Sequence, residues 1–530
     1  MLRKLVSIPL LLICIVGLIA RLHQIEYRSL WFDEAWSWAL SRRPLLDSIR
    51  VARGDFHPPA YFLFLRCWRS LFGDSIFWLR LPSVVFGCMV LPGCYLLAQQ
   101  ISHQDVSSGK WRDRLPGLLS ASLVATSTTQ IVWSQQVRMY SLLTCLVVWS
   151  TWVLFRAMST VQQAPARGGG KPRGLRWAVA YVVLATLLCH THNFGILIVA
   201  THGCCALTDF YVCNRSGPML ELTRSIVIRC VAASVLLFVP WLSWGFLGQL
   251  ERVRRDFWIP PVRWDSIPLI FMDLIAPAVE SRGTDVSLGL WAWAIILVST
   301  CAFIRHGNRQ TKYLVGIILG PTTIAAVFSM STASIMQVRC FVPLGAIIIV
   351  LVASRISRIS STALQIAVSL VLISCSVGWH LKTVADLQVP SRRGARGIAN
   401  HLLSHNQMPV VVISPTLFHA VQYYLPGHTV FLLSDSTIKP YQGGSILRSS
   451  EMITMAELQA LGDFWVVDQR PLAEQATDSE WILGLPRMEP SMSYDIDSLR
   501  TAECDRLPPQ YGFLDVCKCI LCRRVTVLDR

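Results

Sequence analysis

Charge is what this chain has least of. Only 15% of its 530 residues are Asp, Glu, Lys or Arg, against 53% hydrophobic residues, and that balance excludes an ordinary soluble protein. Acidic groups are scarcer than basic ones, 32 against 48. The basic surplus does not make a nucleic-acid surface, because much of it lies in short segments between apolar stretches, where it orients helices in a bilayer. A phosphate-binding loop is also missing. ARGGGKPRG, residues 166–174, lacks both the GxxxxGK[ST] pattern and the preceding strand, and reads as a flexible basic linker. Zinc spacing is loose: Cys504, Cys517, Cys519 and Cys522 form CxCxxC plus a distant Cys, and on an oxidising face they allow two disulfides in any of three pairings. The other 13 of the 17 cysteines lie in or near apolar stretches, where a thiol is a small apolar residue. Inverted repeats and ionisable groups at a bilayer midplane, the marks of a transporter, are lacking too.

What the chain has in abundance is apolar runs. They fall at residues 5–20, 76–101, 115–133, 137–155, 176–189, 193–208, 225–247, 286–304, 312–329, 340–354 and 363–379, which predicts an α-helical polytopic membrane protein with about 11 transmembrane helices. Several runs fall short of the ~20 residues that a perpendicular span needs. Residues 1–22 also look like a secretory signal, but they run almost directly into an acidic motif, and the topology closes only if they stay. Basic residues test the threading. Lys110, Arg112, Arg114, Arg156, Arg167, Lys171, Arg173, Arg176, Arg215, Arg224, Arg305, Arg309, Lys312, Arg355 and Arg358 all fall on connections that an odd-helix count puts inside. The Asn214 sequon then lies inside, where it has no meaning.

On this threading residues 1–379 form the membrane domain, with 22–75 as a long first outer loop. Apolar residues at three- and four-residue spacing in WSWALSRRPLLDSIRVAR and AYFLFLRCWRSLF predict two helices lying along the membrane surface. Residues 380–530 form a small extracytoplasmic α/β domain, with helices in SRRGARGIANHLL and LFHAVQYYL and strands in PVVVISP, TVFLLS and FWVVD.

Five groups reach the outer face. Asp33 and Glu34 sit in WFDEAWS, barely a dozen residues beyond the first helix, where carboxylates are costly in lipid and suggest a purpose. A helix cap or pairing with loop arginines is the bland reading. His57, in DFHPPAY, precedes two prolines that fix the backbone. Arg138 and Tyr140 lie in SQQVRMYS, where an isolated cation between apolar segments calls for a phosphate or a carboxylate, or else snorkels to the interface. His190 and His192 alternate in HTHN, and Arg339 ends the tenth helix in QVRCFVP. A shared cavity explains their common side.

The order of WFDEAWS, DFHPPAYFLFLRCW, SQQVRMYSLL and HTHNFG resembles the lipid-linked-sugar glycosyltransferases of the protein O-mannosyltransferase and aminoarabinose transferase superfamily, with the GT-C fold. The resemblance covers roughly residues 1–355 and is most specific in the first 200. It implies a polyprenyl-phosphate sugar donor, a lipid, glycan or protein acceptor, and an acidic base on the first outer loop, a position that Asp33 matches with Glu34 beside it. His57 stands where some relatives carry Lys or Glu and are thought to contact the donor phosphate or a metal, so a divalent metal stays open while no metal ligand or cofactor is assigned. Arg138 matches a basic position associated with the lipid phosphate, and Arg339 matches one more loosely; with Tyr140, His190 and His192 they make up the expected substrate-binding set. One essential carboxylate among cations suits displacement of a phosphate from an anomeric carbon better than the paired acids of a glycosidase. The multi-pass chain is expected in the plasma membrane. A lipid-sugar flippase and a catalytically inactive lipid-sugar binder are the competing readings.

Overall fold

A run of apolar residues in lipid must satisfy its own backbone, which a helix does without a neighbour. The computed structural model describes residues 8–102, 111–162, 174–212, 218–255, 259–263, 265–275, 307–387, 394–403, 408–434, 444–461, 464–471, 494–503 and 515–524. Its first helices are α1 (Ile8–Leu22), α2 (Phe32–Ser41), α3 (Leu45–Arg53), α4 (Ala60–Phe72), α5 (Ile76–Ser102), α6 (Leu115–Thr126), α7 (Thr128–Ser134) and α8 (Tyr140–Gln162). There follow α9 (Leu175–Thr191), α10 (Phe194–Val212), α11 (Pro218–Trp241), α12 (Leu247–Arg255), α13 (Ser266–Ile275), α14 (Arg309–Ser331), α15 (Val338–Ile356) and α16 (Thr362–Leu387). Six stretches among the described residues are long and apolar enough to cross a membrane: Ile76–Ser102, Tyr140–Thr160, Ser225–Arg254, Arg309–Ser331, Val338–Ile356 and Thr362–Ala385. The protein is an integral membrane protein. Shorter apolar helices occupy Ile8–Leu22, Leu175–Thr191, Phe194–Thr208 and Ser266–Ile275. The run expected at 286–304, the basic linker around Lys171 and Asn214 lie outside the described residues.

The run at 115–133 is not one straight helix. It bends by 59° between α6 and α7, because Ser127 leaves the helical region and caps the second piece, accepting a hydrogen bond from the Gln130 N–H. Ser-Thr-Thr-Gln has the spacing of a capping box, a legible signal that a window of apolar residues hides. The Gln130 side chain instead donates to the Val342 carbonyl at 3.0 Å, tying α7 to α15. The short helix α13, which no apolar window marks, packs against α7 and α15, and its Asp273 carbonyl accepts from the Thr129 hydroxyl at 3.0 Å.

The described residues cluster into two compact units, one within Met1–Ile25, Leu45–Ala278 and Arg282–Val384, the other within Glu26–Pro44, Val279–Ser281 and Ala385–Arg530. The second unit adds α17 (Gly394–Leu403), β1 (Val410–Val412), α18 (Pro415–Tyr424), β2 (Val430–Leu433), β3 (Met452–Ile453), α19 (Met455–Ala460), β4 (Phe464–Pro471), β5 (Tyr494–Glu503) and β6 (Asp515–Arg524). Its sheet runs β3-β2-β1-β4-β6-β5. The first four strands are parallel, and β6 is antiparallel to both β4 and β5. Val411, Leu433, Ile453, Leu458, Phe464 and Val466 form a buried core on this sheet. Residues 26–44, which the sequence places in the first outer loop, belong to this unit, and α2 packs against α18. Cys504 lies outside the described residues, and so do the side chains of Cys517, Cys519 and Cys522 on β6.

Candidate functional site

The acidic motif forms the first turn of α2. Trp31 precedes it in an extended conformation and provides no side-chain cap, and Asp33 and Glu34 lie in the first turn, at the positive end of the helix. Neighbouring helical residues lie on different faces, and the two carboxylates differ accordingly. Glu34 is 1% exposed, whereas Asp33 is half-buried. The Ser37 hydroxyl donates to the Asp33 carbonyl at 2.8 Å and tightens the turn.

A second cluster is built within the first unit. Pro58 and Pro59 are buried, and Pro59 caps α4, so the chain leaving α3 is rigid where it presents His57. Arg138 lies in the turn between α7 and α8, 3% exposed, and its Nη2 donates to His57 Nε2 at 3.0 Å. A guanidinium has no acceptor, so His57 Nε2 must be unprotonated and Nδ1 carries the proton. The turn after α9 contributes His192, 4% exposed, whose ring lies 4.9 Å from that of His57. His192 Nδ1 accepts from the Phe194 N–H at 3.0 Å, which leaves the proton on Nε2. Both remaining N–H groups, His57 Nδ1 and His192 Nε2, are buried without a hydrogen-bond partner among the described residues.

Electrostatics favour these neutral tautomers. Burial, then Arg138, His192 and Arg339, holds His57 well below the usual histidine range, and burial with the same two arginines pushes His192 down to about 3. Arg339, at the start of α15, thus acts on the same two imidazoles. Tyr140 completes the cluster. It is fully buried, its ring 5.7 Å from His192, 4.7 Å from Trp133 and 5.8 Å from the Arg138 guanidinium carbon.

His190 is not part of it. Its Nδ1 donates to the Thr186 carbonyl of its own helix at 2.9 Å, and its ring stands edge-on to Phe238 of α11 at 5.0 Å. The alternation in HTHN separates the two rings because the helix ends at Thr191 and His192 already has an extended backbone.

Several supports escape a motif search. Asn193 Nδ2 donates to the Phe56 carbonyl at 3.0 Å and to Gln249 Oε1 at 3.1 Å, while Gln249 Nε2 donates to the Ala52 carbonyl at 2.8 Å. The residues just before His57 and just after His192 are therefore stitched together through α12. Asn193 belongs to a motif; Gln249 carries no signal at all. The turn bearing Arg138 is pinned by the Ser83 hydroxyl, which donates to the Gln136 carbonyl at 2.6 Å and to the Arg138 carbonyl at 3.3 Å. Arg21, fully buried, donates to Ser134 Oγ, the Gly17 carbonyl and the Val124 carbonyl at 3.2, 3.1 and 3.2 Å. Gly195 is required where the histidine turn re-enters a helix, since a Cβ there would lie 2.5 Å from the Leu188 carbonyl oxygen.

An arginine beside two neutral imidazole N–H donors is a set of groups whose chemistry suits an anion. No group of three or more His, Cys, Asp or Glu side chains among the described residues is arranged to hold a metal.

The chain has the GT-C type of fold. It superposes on ArnT from Cupriavidus metallidurans in the apo state with a TM-score of 0.59 and 13% identity over 96% of this chain and 97% of that one. Against ArnT from the same organism bound to undecaprenyl phosphate the TM-score is 0.58, again at 13% identity over 96% and 97% of the two chains. The archaeal oligosaccharyltransferase AglB from Archaeoglobus fulgidus, in complex with an inhibitory peptide and a dolichol-phosphate, gives 0.50 at 10% identity, over 87% of this chain and 69% of that one. No family model and no curated sequence matches the chain.

Proposed function

We propose that this protein is a glycosyltransferase that moves a sugar from a polyprenyl-phosphate carrier to an acceptor on the outer face of the membrane. The observation that carries the reading is the pair of unpartnered N–H donors, His57 Nδ1 and His192 Nε2, set beside Arg138. A buried donor without an acceptor costs free energy unless a ligand supplies one, and a phosphodiester supplies several. Two proteins of similar fold were solved with undecaprenyl phosphate and with a dolichol-phosphate.

In this reaction an acceptor hydroxyl or amine attacks the anomeric carbon, the bond from that carbon to the phosphate oxygen breaks, and the carrier phosphate leaves with the electron pair. Arg138, Arg339 and the two imidazole N–H groups take the developing phosphate charge without donating a proton outright. Asp33 accepts the proton released by the acceptor. A single displacement inverts the anomeric configuration. Lipid, glycan and protein acceptors all fit this chemistry. The reading includes a plasma-membrane location, about 11 spans and an extracytoplasmic C-terminal unit.

The decisive experiment reconstitutes the purified protein with polyprenyl-phosphate sugars and measures both carrier binding and sugar transfer, alongside mass spectrometry of lipid-linked sugars and surface glycans from cells with and without it. Transfer that depends on Asp33 establishes the reading. Carrier binding with no transfer to any acceptor class makes the protein a binder, and movement of intact carrier across vesicles without transfer makes it a flippase.

A further inference from the structure

Residues 26–30 lead into the acidic helix without regular structure of their own, so their course is set by whatever bonds their backbone. Those bonds come from the C-terminal half of the chain. Arg396 on α17 donates through Nη2 to the carbonyls of Glu26 and Arg28 at 2.8 and 3.2 Å, and through Nη1 to the carbonyl of Tyr27 at 3.4 Å. Its backbone N–H donates to Ser29 Oγ at 3.4 Å. The Leu30 N–H donates to the hydroxyl of Tyr424 on α18 at 2.8 Å, and the Arg396 guanidinium carbon lies 5.5 Å from the centre of the same tyrosine ring. Beyond the acidic turn the grip continues. Trp38 stands edge-on to Tyr423 at 5.1 Å, and Arg43 Nη2 donates to the Ile446 carbonyl. Five successive residues are thus held by two residues more than 360 positions away in sequence.

We infer that Arg396 and Tyr424 are positioning residues for the acidic helix, and that the C-terminal α/β unit acts as the mould for the segment bearing Asp33. The inference rests on Asp33 being the base of the proposed transfer. Leu30 precedes Asp33 by only three residues, and a displacement of about 1 Å at a reacting group can cost about 10²-fold in rate. Arg396 is suited to the task because one planar fork reaches three carbonyls, which a lysine ammonium cannot match in the same geometry.

The test uses the full-length protein in nanodiscs with three variants, Arg396→Ala, Arg396→Lys and Tyr424→Phe. Arg396→Ala is expected to lower kcat at least about tenfold while the donor KM stays within about twofold, because the phosphate-binding groups belong to other segments. Arg396→Lys recovers part of the loss. Tyr424→Phe, which deletes one oxygen and preserves the packing, shows a smaller loss in the same direction. Hydrogen exchange supplies a readout independent of turnover: amides of residues 26–41 exchange faster in Arg396→Ala and Tyr424→Phe, while those of α5 and α8 do not. Unchanged exchange over 26–41 in the folded variants overturns the inference, as does a rise in donor KM matching the fall in kcat. An active Asp33→Asn measured alongside removes Asp33 as base; it leaves the exchange result standing, so the two failures are told apart.

Discussion

Arg138→Ala removes a fixed positive charge from a site that is 97% shielded from solvent, its residual exposure being 3%. Two losses follow. The donor phosphate forfeits a hydrogen bond to a charged group, worth about 1.5 to 3 kcal/mol. At about 1.4 kcal/mol per tenfold, that weakens carrier binding roughly 10- to 150-fold. His57 Nε2 also loses the donor that fixes its tautomer, so the ring is free to move its proton from Nδ1 to Nε2 and to turn its N–H away from the ligand. Arg138→Lys separates the contributions. It retains the charge but not the planar fork that reaches His57 and a phosphate together, so its affinity should lie between wild type and the alanine variant. Equilibrium binding of a fluorescent or radiolabelled polyprenyl phosphate to protein in nanodiscs reads both values, with thermal stability as the check on folding. If folded Arg138→Ala binds the carrier as wild type does, the cluster is not the phosphate site, and Arg138 is a structural cation that holds His57.

Three further outcomes are expected. Asp33→Asn keeps its shape but not its basicity, so transfer should fall by at least about 10²-fold with carrier binding largely intact; Glu34→Gln, altering the buried neighbour, should slow transfer less, and a dead Glu34→Gln beside an active Asp33→Asn would reverse the assignment. Burial and the two arginines lower the pKa of both His57 and His192, so the unfolded chain binds more protons than the folded one below about pH 6.5, and stability should fall as pH drops from there towards about 3, the value for His192. His192→Asn should flatten that slope in thermal melts of the carrier-free protein, and affinity for the sugar-loaded carrier, a phosphodiester with no ionisation of its own there, should show no titration near pH 6.5 in wild type. Finally, a cysteine placed at Asn400 should react with an impermeant reagent from outside and one at Gly169 should not; the opposite pattern would invert the threading.

Much of the cluster is visible in the primary structure because each member sits where an ordinary membrane helix would have no use for it. Arg138 interrupts two apolar runs, His57 precedes a double proline, and His192 lies at a turn between helices; all three meet in the first unit. His190 shows the limit of such reasoning. Two histidines at alternate positions look equivalent in a string of letters, yet the helix ends at the residue between them, and one ring stays with its own helix while the other swings into the site. The bend at Ser127 was masked in a similar way, since a window averaged over apolar residues does not register a single hydroxyl that caps a helix.

The hardest feature to read was the membership of residues 26–44. Hydropathy assigns a loop to the membrane helices it connects, because connection is all that a linear profile can report. What decides where a loop packs is the supply of partners for its backbone, and here three carbonyls, a serine hydroxyl and an N–H find theirs on Arg396 and Tyr424. Neither residue lies in a recognisable motif, and neither is near the loop in sequence. A domain whose own sequence names no chemistry can therefore still bear on catalysis, if it fixes the course of the strand of chain that carries the base. That also accounts for a C-terminal region free of catalytic motifs: a mould needs a matching surface for one segment of backbone, and backbone carbonyls can be met by many sequences.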